Sequence, residues 1–380
     1  MSRPAISHRP ARPLGEVGGI QQTDGVTIEL PRPLAPDTGE ALARVSQYPR
    51  LRYMGSKYRL AASLADEFRR LGGVSAVDAF SGSGVVSFLL KSLGFAVTSN
   101  DFLDFPGTIA RAAVQNSHVT LSDELVDAIC GPSLDGRDFI QTKFDGLFLS
   151  PDDRRFLDSA WSHIDPLTGH ERDIAIAALV VAAARKQPRG VFTFTGARYD
   201  DGRRDLRISM EAQFRERVAD YNRIVFDNGS THQVVTGDVT ALGGSNADIV
   251  YLDPPYAPPR DDADYMKRYH FLEGLSVYWR GVDIMEETKT KKIQKRHTPF
   301  ANKRTVEDAL AATFEQFRDA GAIVMSYSSN AIPDSDRIMQ LLSRVKPHVE
   351  LRRVAHTYSF GTHSTALRRS VDELIFVGRD

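Results

Sequence analysis

The sequence predicts an open, doubly wound α/β sheet, and three observations carry that expectation. Short apolar runs end on an acid at Asp78, Asp101, Asp238 and Asp253. A glycine-rich turn, Ser81-Gly82-Ser83-Gly84, joins the first of these runs to an apolar stretch of helical period. A long tract of mostly helical pattern then separates the first two acid-ended runs from the last two. In open α/β sheets, ligands bind in the crevice beyond the carboxyl ends of the strands, so the four acids are expected to share one site.

Met1 to about Gln47 is rich in Pro, Gly and Arg, with a weak strand signal at Val26–Leu30, and is expected to be an extended or partly disordered arm. Arg52-Tyr53-Met54-Gly55-Ser56-Lys57 then opens an amphipathic helix with Leu60, Leu64 and Phe68 on its apolar stripe. Lys57 reads either as a solvated first-turn lysine or as the partner of a ligand carboxylate. A cation at a helix N-terminus opposes the macrodipole unless something negative sits nearby, which favours the second. Val77–Gly84 reads as a strand running into the glycine turn, and Val85–Leu90 as the start of a helix reaching Gly94. The glycines would let the backbone approach a ligand closely. The third glycine of a dinucleotide fingerprint is missing, which disfavours NAD.

Phe95–Asp101 is the second strand, and its acid stands where doubly wound folds usually hold a nucleoside ribose. Leu121 to about Asn228 is mostly helical. Its most apolar part, Ile174–Ala184, is too short to span a bilayer and ends at Arg185-Lys186, so it reads as a buried helix. The sheet resumes at Gln233, with strands at Val234–Asp238, Ile249–Leu252, Ala322–Tyr327 and Glu373–Val377. The segment His356–His363 lies just before the last of these and fits either a nucleic-acid-facing surface or a hairpin.

Asp253-Pro254-Pro255-Tyr256 is the most informative motif. Prolines fix φ and carry no N–H, so the loop is stiff and rich in acceptors. The Asp253 carboxylate and the Pro254 carbonyl suit the two hydrogens of one exocyclic amine, and Tyr256 offers a stacking face worth about 1–3 kcal/mol per base. The same tetrapeptide also reads as a strand-ending turn with an N-capping Asp.

The ordered set Tyr53-x-Gly55-Ser56-Lys57, Asp78-x-Phe80-x-Gly82-x-Gly84, Asn100-Asp101, Gly237-Asp238 and Asp253-Pro254-Pro255-Tyr256 resembles the Dam-like, α-group DNA adenine N6-methyltransferases. The match runs from Leu51 to Asn116 and from Val234 to the C-terminus. Each motif is short, but their order and spacing together are specific. The departures are Ser83 between the motif glycines and Tyr53 where some relatives carry tryptophan.

The resemblance implies a Rossmann-like S-adenosylmethionine-dependent methyltransferase sheet, residues 48–116 and 229–380, with an inserted, mainly helical target-recognition region, residues 117–228. It implies transfer of a methyl group from S-adenosylmethionine to adenine N6 at a specific sequence in double-stranded DNA, with the base flipped out. Cofactor contacts are implied for Tyr53, Met54, Gly55, Lys57, Asp78, Phe80, Gly82, Gly84, Asp101 and Asp238. Among these, Lys57 would meet the methionine carboxylate, Asp101 the ribose hydroxyls and Asp238 the adenine amine. Asp253, Pro254, Pro255 and Tyr256 would hold the target adenine. A cognate restriction endonuclease is an implied partner, and a monomer is the favoured state.

The chemistry agrees. The adenine N6 lone pair is delocalised into the ring, so two acceptors on its hydrogens favour a pyramidal, nucleophilic nitrogen. No covalent nucleophile is needed, and the single cysteine, Cys130, lies far from every motif and reads as an ordinary buried apolar residue. The ten histidines show no paired metal-ligand spacing. One cysteine and no secretory leader point to a reducing cytoplasm.

Net charge is −1, but its distribution is uneven. Lys289 to Arg304 carries Lys291, Lys292, Lys295 and further cations with no acid among them, which reads as a solvated loop or, beside a nucleobase pocket, as a phosphate track. A second candidate interleaves aromatics with arginines around Arg198, Arg203 and Arg207 and suits a loop or hairpin entering a groove. Two rival functions remain. One is an enzyme of the same fold acting on cytosine N4, RNA or a protein amide; Asp253 leans away from these, towards adenine. The other is a catalytically silent nucleic-acid-binding module, which would not need both halves of a bisubstrate site.

Overall fold

The structure, a computed structural model, describes residues 37–187, 190–193, 202–257, 265–359 and 368–380. Its strands are β1 (Ser75–Asp78), β2 (Ala96–Asp101), β3 (Gln233–Thr236), β4 (Ile249–Leu252), β5 (Ala322–Ser328), β6 (His348–Ser359) and β7 (Arg368–Arg379). They form one sheet in the order β3-β2-β1-β4-β5-β7-β6. The pairs from β3 across to β5 are parallel, and β7 lies antiparallel between β5 and β6. The chain works outwards from β1 to β3 on one side and from β4 on the other, so the strand order reverses between β1 and β4. That reversal opens a crevice at the carboxyl ends of the central strands.

Both faces of the sheet are covered, and the period of two along each strand divides the core. Ile249 and Tyr251 of β4 join one hydrophobic cluster, while Val250 and Leu252 join the other. All four residues of β4 are buried, as a central parallel strand requires. The first cluster takes α1 (Thr38–Ser46), α2 (Ala61–Leu71), α3 (Val85–Ser92) and α4 (Asp104–Ala110). It continues without a break into the helices before β3, namely α5 (Asp123–Ile129), α6 (Phe139–Lys143), α7 (Pro151–Ile164), α8 (Gly169–Arg185), α9 (Arg204–Arg207) and α10 (Met210–Ile224), although α9 itself adds no residue to it. It also takes α11 (Tyr265–Val277), whereas α12 (Val306–Gln316) and α13 (Ser335–Leu342) cover the opposite face.

Local signals account for several of these helices. Ser150 and Ser209 cap α7 and α10 by accepting from Asp153 and Ala212 N–H, each at 3.1 Å, and Pro151 occupies the first turn of α7. In α8 every residue from Ile174 to Ala184 is buried, because a helix apolar all round must be enclosed. No described helix is long and apolar enough to cross a membrane.

Two expectations, the extent of the N-terminal arm and the enclosure of Cys130, are corrected, and the alternatives for His356–His363 narrow towards the hairpin. The extended arm expected as far as residue 47 ends earlier, because Thr38–Ser46 forms α1, with Ala41 and Val45 buried against α2 and α3. Averaging composition over the whole arm hides this short amphipathic repeat; residues 1–36, with the strand signal at Val26–Leu30, lie outside the described residues. The segment His356–His363 begins inside β6, which pairs with β7 as far as Ser359 opposite Arg368. Its described part is therefore strand. Cys130 is half-buried, not enclosed, and burial pushes its thiol up to about 12.

Candidate active site

A cavity of about 1130 Å³ opens beyond the carboxyl ends of β1 to β4, and its wall includes Asp78, Asp101, Asp238 and Asp253. Tyr53, Met54, Gly55, Lys57, Phe80, Gly82 and Pro255 also border it. Gly84, Pro254 and Tyr256 do not. The strand ends are held together from within. Asn100 Nδ2 donates to the Ala79 carbonyl at 3.0 Å and the Gly237 carbonyl at 3.3 Å, tying the ends of β1, β2 and β3. Gly237 N–H donates to the Asp101 carbonyl at 2.8 Å, which sets Asp238 beside Asp101. Asp238 caps the following turn, accepting from Thr240 N–H at 3.0 Å.

The glycine loop is shaped by packing as much as by any ligand. Gly82 has φ +50°, and a Cβ there would stand 2.9 Å from the Tyr53 ring; Gly84 has φ +78°, and a Cβ would stand 2.4 Å from the Tyr48 hydroxyl. Both positions favour glycine on conformation as well as space. The turn brings Gly82 N–H to Asp101 Oδ2 at 2.8 Å, while Leu103 N–H reaches Asp101 Oδ1 at 2.9 Å. Burial raises Asp101 to about 6, opposed by these N–H donors. It raises Asp78 to about 7, opposed by Ser87 Oγ, which donates to Asp78 Oδ2 at 2.6 Å. Asp78 Oδ1, Ser81 Oγ and Asn100 Oδ1 are buried with no hydrogen-bond partner among the described residues. All three residues border the cavity, so a polar ligand there would satisfy them.

Lys57 meets its negative charge inside the protein. Its Nζ lies 2.7 Å from Asp253 Oδ2 and donates to the Gly55 carbonyl at 2.6 Å. The pair is largely enclosed, with side-chain exposures of 3% and 16%. Ser326 Oγ on β5 and the Tyr256 hydroxyl each donate to Asp253 Oδ1 at 3.0 Å, and Ser326 Oγ lies 2.7 Å from the Tyr251 hydroxyl. The Tyr256 ring is edge-on to Tyr327 at 4.8 Å. Opposite, Tyr53 stacks on Tyr269 at 4.9 Å and lies 5.5 Å from Tyr265, whose ring borders the cavity.

The family model for D12 class N6 adenine-specific DNA methyltransferases matches residues 53–313. The chain belongs to this family. The methyltransferase transfers a methyl group from S-adenosylmethionine to the N6 amine of adenine in DNA. Type II methyltransferase M2.HphI of Haemophilus parahaemolyticus is 26% identical to it over 328 residues, spanning 82% of this chain and 93% of that protein. The match brackets the Tyr53, glycine-loop and Asp253 motifs in a single span.

The residues expected to meet DNA fare differently in the methyltransferase. Arg198 lies outside the described residues. Arg203 precedes α9 as its N-cap residue, its side chain donating to the Arg185 carbonyl of α8 at 3.5 Å, and Arg207 ends α9. Lys291 Nζ lies 3.2 Å from Glu286 Oε2, an acid just outside the acid-free run that a turn folds back onto it. Lys292 is half-buried, and Lys295 borders the cavity. Ser326 gives no signal of a role in the sequence because it sits in an apolar run that reads as core, and Tyr265 and Tyr269 give none because they stand in a charged stretch that carries no motif.

Proposed function

We propose that the cavity is a bisubstrate site in which the cofactor and the target adenine meet at Lys57 and Asp253. The convergence of the four strand-end acids and Lys57 on one cavity carries this reading. At about 1130 Å³ the cavity exceeds the roughly 300–1,000 Å³ of a single-ligand pocket. The buried unpartnered oxygens of Asp78, Ser81 and Asn100 fit a ligand with several donors, such as S-adenosylmethionine. Asp101 would take the ribose hydroxyls, Asp238 the cofactor's adenine amine and Lys57 the methionine carboxylate. When bound, the cofactor supplies a methyl group on a cationic sulfur. Asp253 accepts from the target amine and steers its lone pair, whereas Pro254 lies outside the cavity wall. Ser326 and Tyr256 fix the carboxylate, and Lys57 pairs with it at the boundary between the two half-sites.

On this reading the target adenine leaves the duplex, at a cost of a few kcal/mol that stacking and backbone contacts offset. Tyr265 forms the far wall of its pocket. Lys292 and Lys295 contact flanking phosphates, and the arginines around Arg198 together with residues 117–228 read the specific sequence. The Type II designation of the Haemophilus relative supports a cognate endonuclease as partner.

Asp101→Ala and Asp238→Ala are each expected to weaken S-adenosylmethionine binding about 10–100-fold, measured by calorimetry without DNA, since each loses a charge-assisted hydrogen bond worth roughly 1.5–3 kcal/mol. Unchanged affinity in both would place the cofactor elsewhere. The pH dependence has a definite sign. Asp78 and Asp101 are raised to about 7 and about 6, and ligand donors bind their ionised forms more tightly. Cofactor affinity should thus be full above about pH 7 and fall as pH drops through 7 and then 6, by up to about tenfold per unit for each acid. A flat profile across that window would contradict their contact with the cofactor.

A further inference from the structure

We infer that Arg296 is a positioning residue of the cofactor site that clamps the segment after Asp101 through buried Glu273, and that it is not a phosphate contact. The inference rests on the reading of Asp101 as the ribose acid. Arg296 belongs to the basic run and is exposed at the cavity rim, yet its guanidinium reaches the segment after Asp101. Nη1 donates to the Phe102 carbonyl at 3.2 Å, and the group lies 5.8 Å from the Phe102 ring. Nη2 lies 3.5 Å from Asp104 Oδ2 and 3.7 Å from Glu273 Oε1.

Glu273 is fully buried on α11, and its carboxylate stands in for a missing helix cap. Leu103, at the N-cap of α4, supplies no side-chain acceptor. Glu273 Oε2 instead accepts from Asp104 N–H at 2.9 Å and Phe105 N–H at 3.2 Å. Its oxygen thus satisfies N–H groups at the start of α4 that would otherwise lack an acceptor. Its burial is costly, pushing the carboxyl up to about 8, and Arg296 acts in the opposite direction. The connection then runs onward, because fixing the start of α4 fixes Leu103, whose N–H holds Asp101 Oδ1 at 2.9 Å. With Asp104 and Glu273 beside it, the charge of the guanidinium is already answered within the protein, and its hydrogen bond goes to the Phe102 carbonyl.

The test compares Arg296→Ala, Arg296→Lys and Asp101→Ala in the full-length protein. We expect Arg296→Ala to weaken S-adenosylmethionine binding about tenfold by calorimetry without DNA and to raise KM for the cofactor with kcat within about twofold. Arg296→Lys keeps the charge and should recover part of the loss. The slope of DNA affinity against salt should stay unchanged in both. Combined alanine replacement of Lys291, Lys292 and Lys295 should instead flatten it, by about 0.9 for each phosphate that is no longer neutralised. Retained DNA affinity shows that each Arg296 variant is folded; if Arg296→Ala does not fold, Arg296→Lys alone decides, by a cofactor affinity between wild type and Asp101→Ala. Cofactor affinity at the wild-type level in the Arg296 variants beside a weakened Asp101→Ala would overturn the inference and leave the ribose reading standing. A slope reduced by about 0.9 in Arg296→Ala would return the residue to the phosphate track. If Asp101→Ala also bound normally, the ribose reading itself would fail.

Discussion

Asp253→Ala should lower the rate of methyl transfer by at least about 10²–10³-fold, the loss typical of removing one preorganised group that acts on developing charge. Cofactor affinity should remain or tighten. Asp253 is the most heavily supported acid at the cavity, held by Ser326 Oγ and the Tyr256 hydroxyl on one oxygen and by Lys57 on the other. That support fixes the carboxylate before the substrate arrives, so little reorganisation is needed at the moment of transfer. Removing it frees the Lys57 ammonium for a cofactor carboxylate, which is why binding should not suffer. Single-turnover methylation of duplex DNA, with calorimetry on the same preparation, separates the two effects. A near-wild-type rate would remove Asp253 from the chemistry, and lost cofactor binding would move it to the other half-site.

The second large effect concerns stability. Lys57→Met leaves Asp253 only 16% exposed and without its cation, and breaking a buried pair from one side destabilises by about 3–5 kcal/mol. The hydrogen bonds from Ser326 and Tyr256 place this case near the lower figure. Adding Asp253→Asn removes the stranded charge and should restore most of the lost stability, while activity stays abolished. Urea midpoints of the wild type, both single variants and the double variant give the coupling directly. Additive midpoints would mean that the two side chains do not depend on one another. A double variant with restored activity would show that neither residue takes part in methyl transfer.

Much of this is legible in one dimension. The strand before Asp253 announces itself because burial on both sheet faces demands continuous apolar residues. Strand β2, however, mixes in Thr, Ser and Asn, and β3, before Asp238, is a partly exposed edge strand marked mainly by the acid that follows it. Helix α8 is equally plain, since eleven consecutive residues, Ile174 to Ala184, leave it no polar face. By contrast, β6 has no clear signal along the chain. It is an edge strand with one face open, and Arg352 and Arg353 break its alternation.

The glycine loop marks where local reading stops. A turn at Gly82 and Gly84 follows from the sequence, but the tyrosine side chains that crowd it, from Tyr53 and Tyr48, come from a distant stretch of chain. Charge behaves in the same way. The run from Lys289 to Arg304 is uniform in sequence, yet Lys291 is paired with Glu286 and Arg296 lies 3.7 Å from the buried Glu273 carboxyl. By itself the sequence determined the strand-end acids, the two motifs of the proposed bisubstrate site and the family, because those are set by order and periodicity along the chain. Only the tertiary structure decided that Lys57 answers Asp253, that Ser326 supports it and that Glu273 caps α4. Coulomb attraction and hydrogen bonding act over a few ångströms of space, and sequence separation carries no information about that distance.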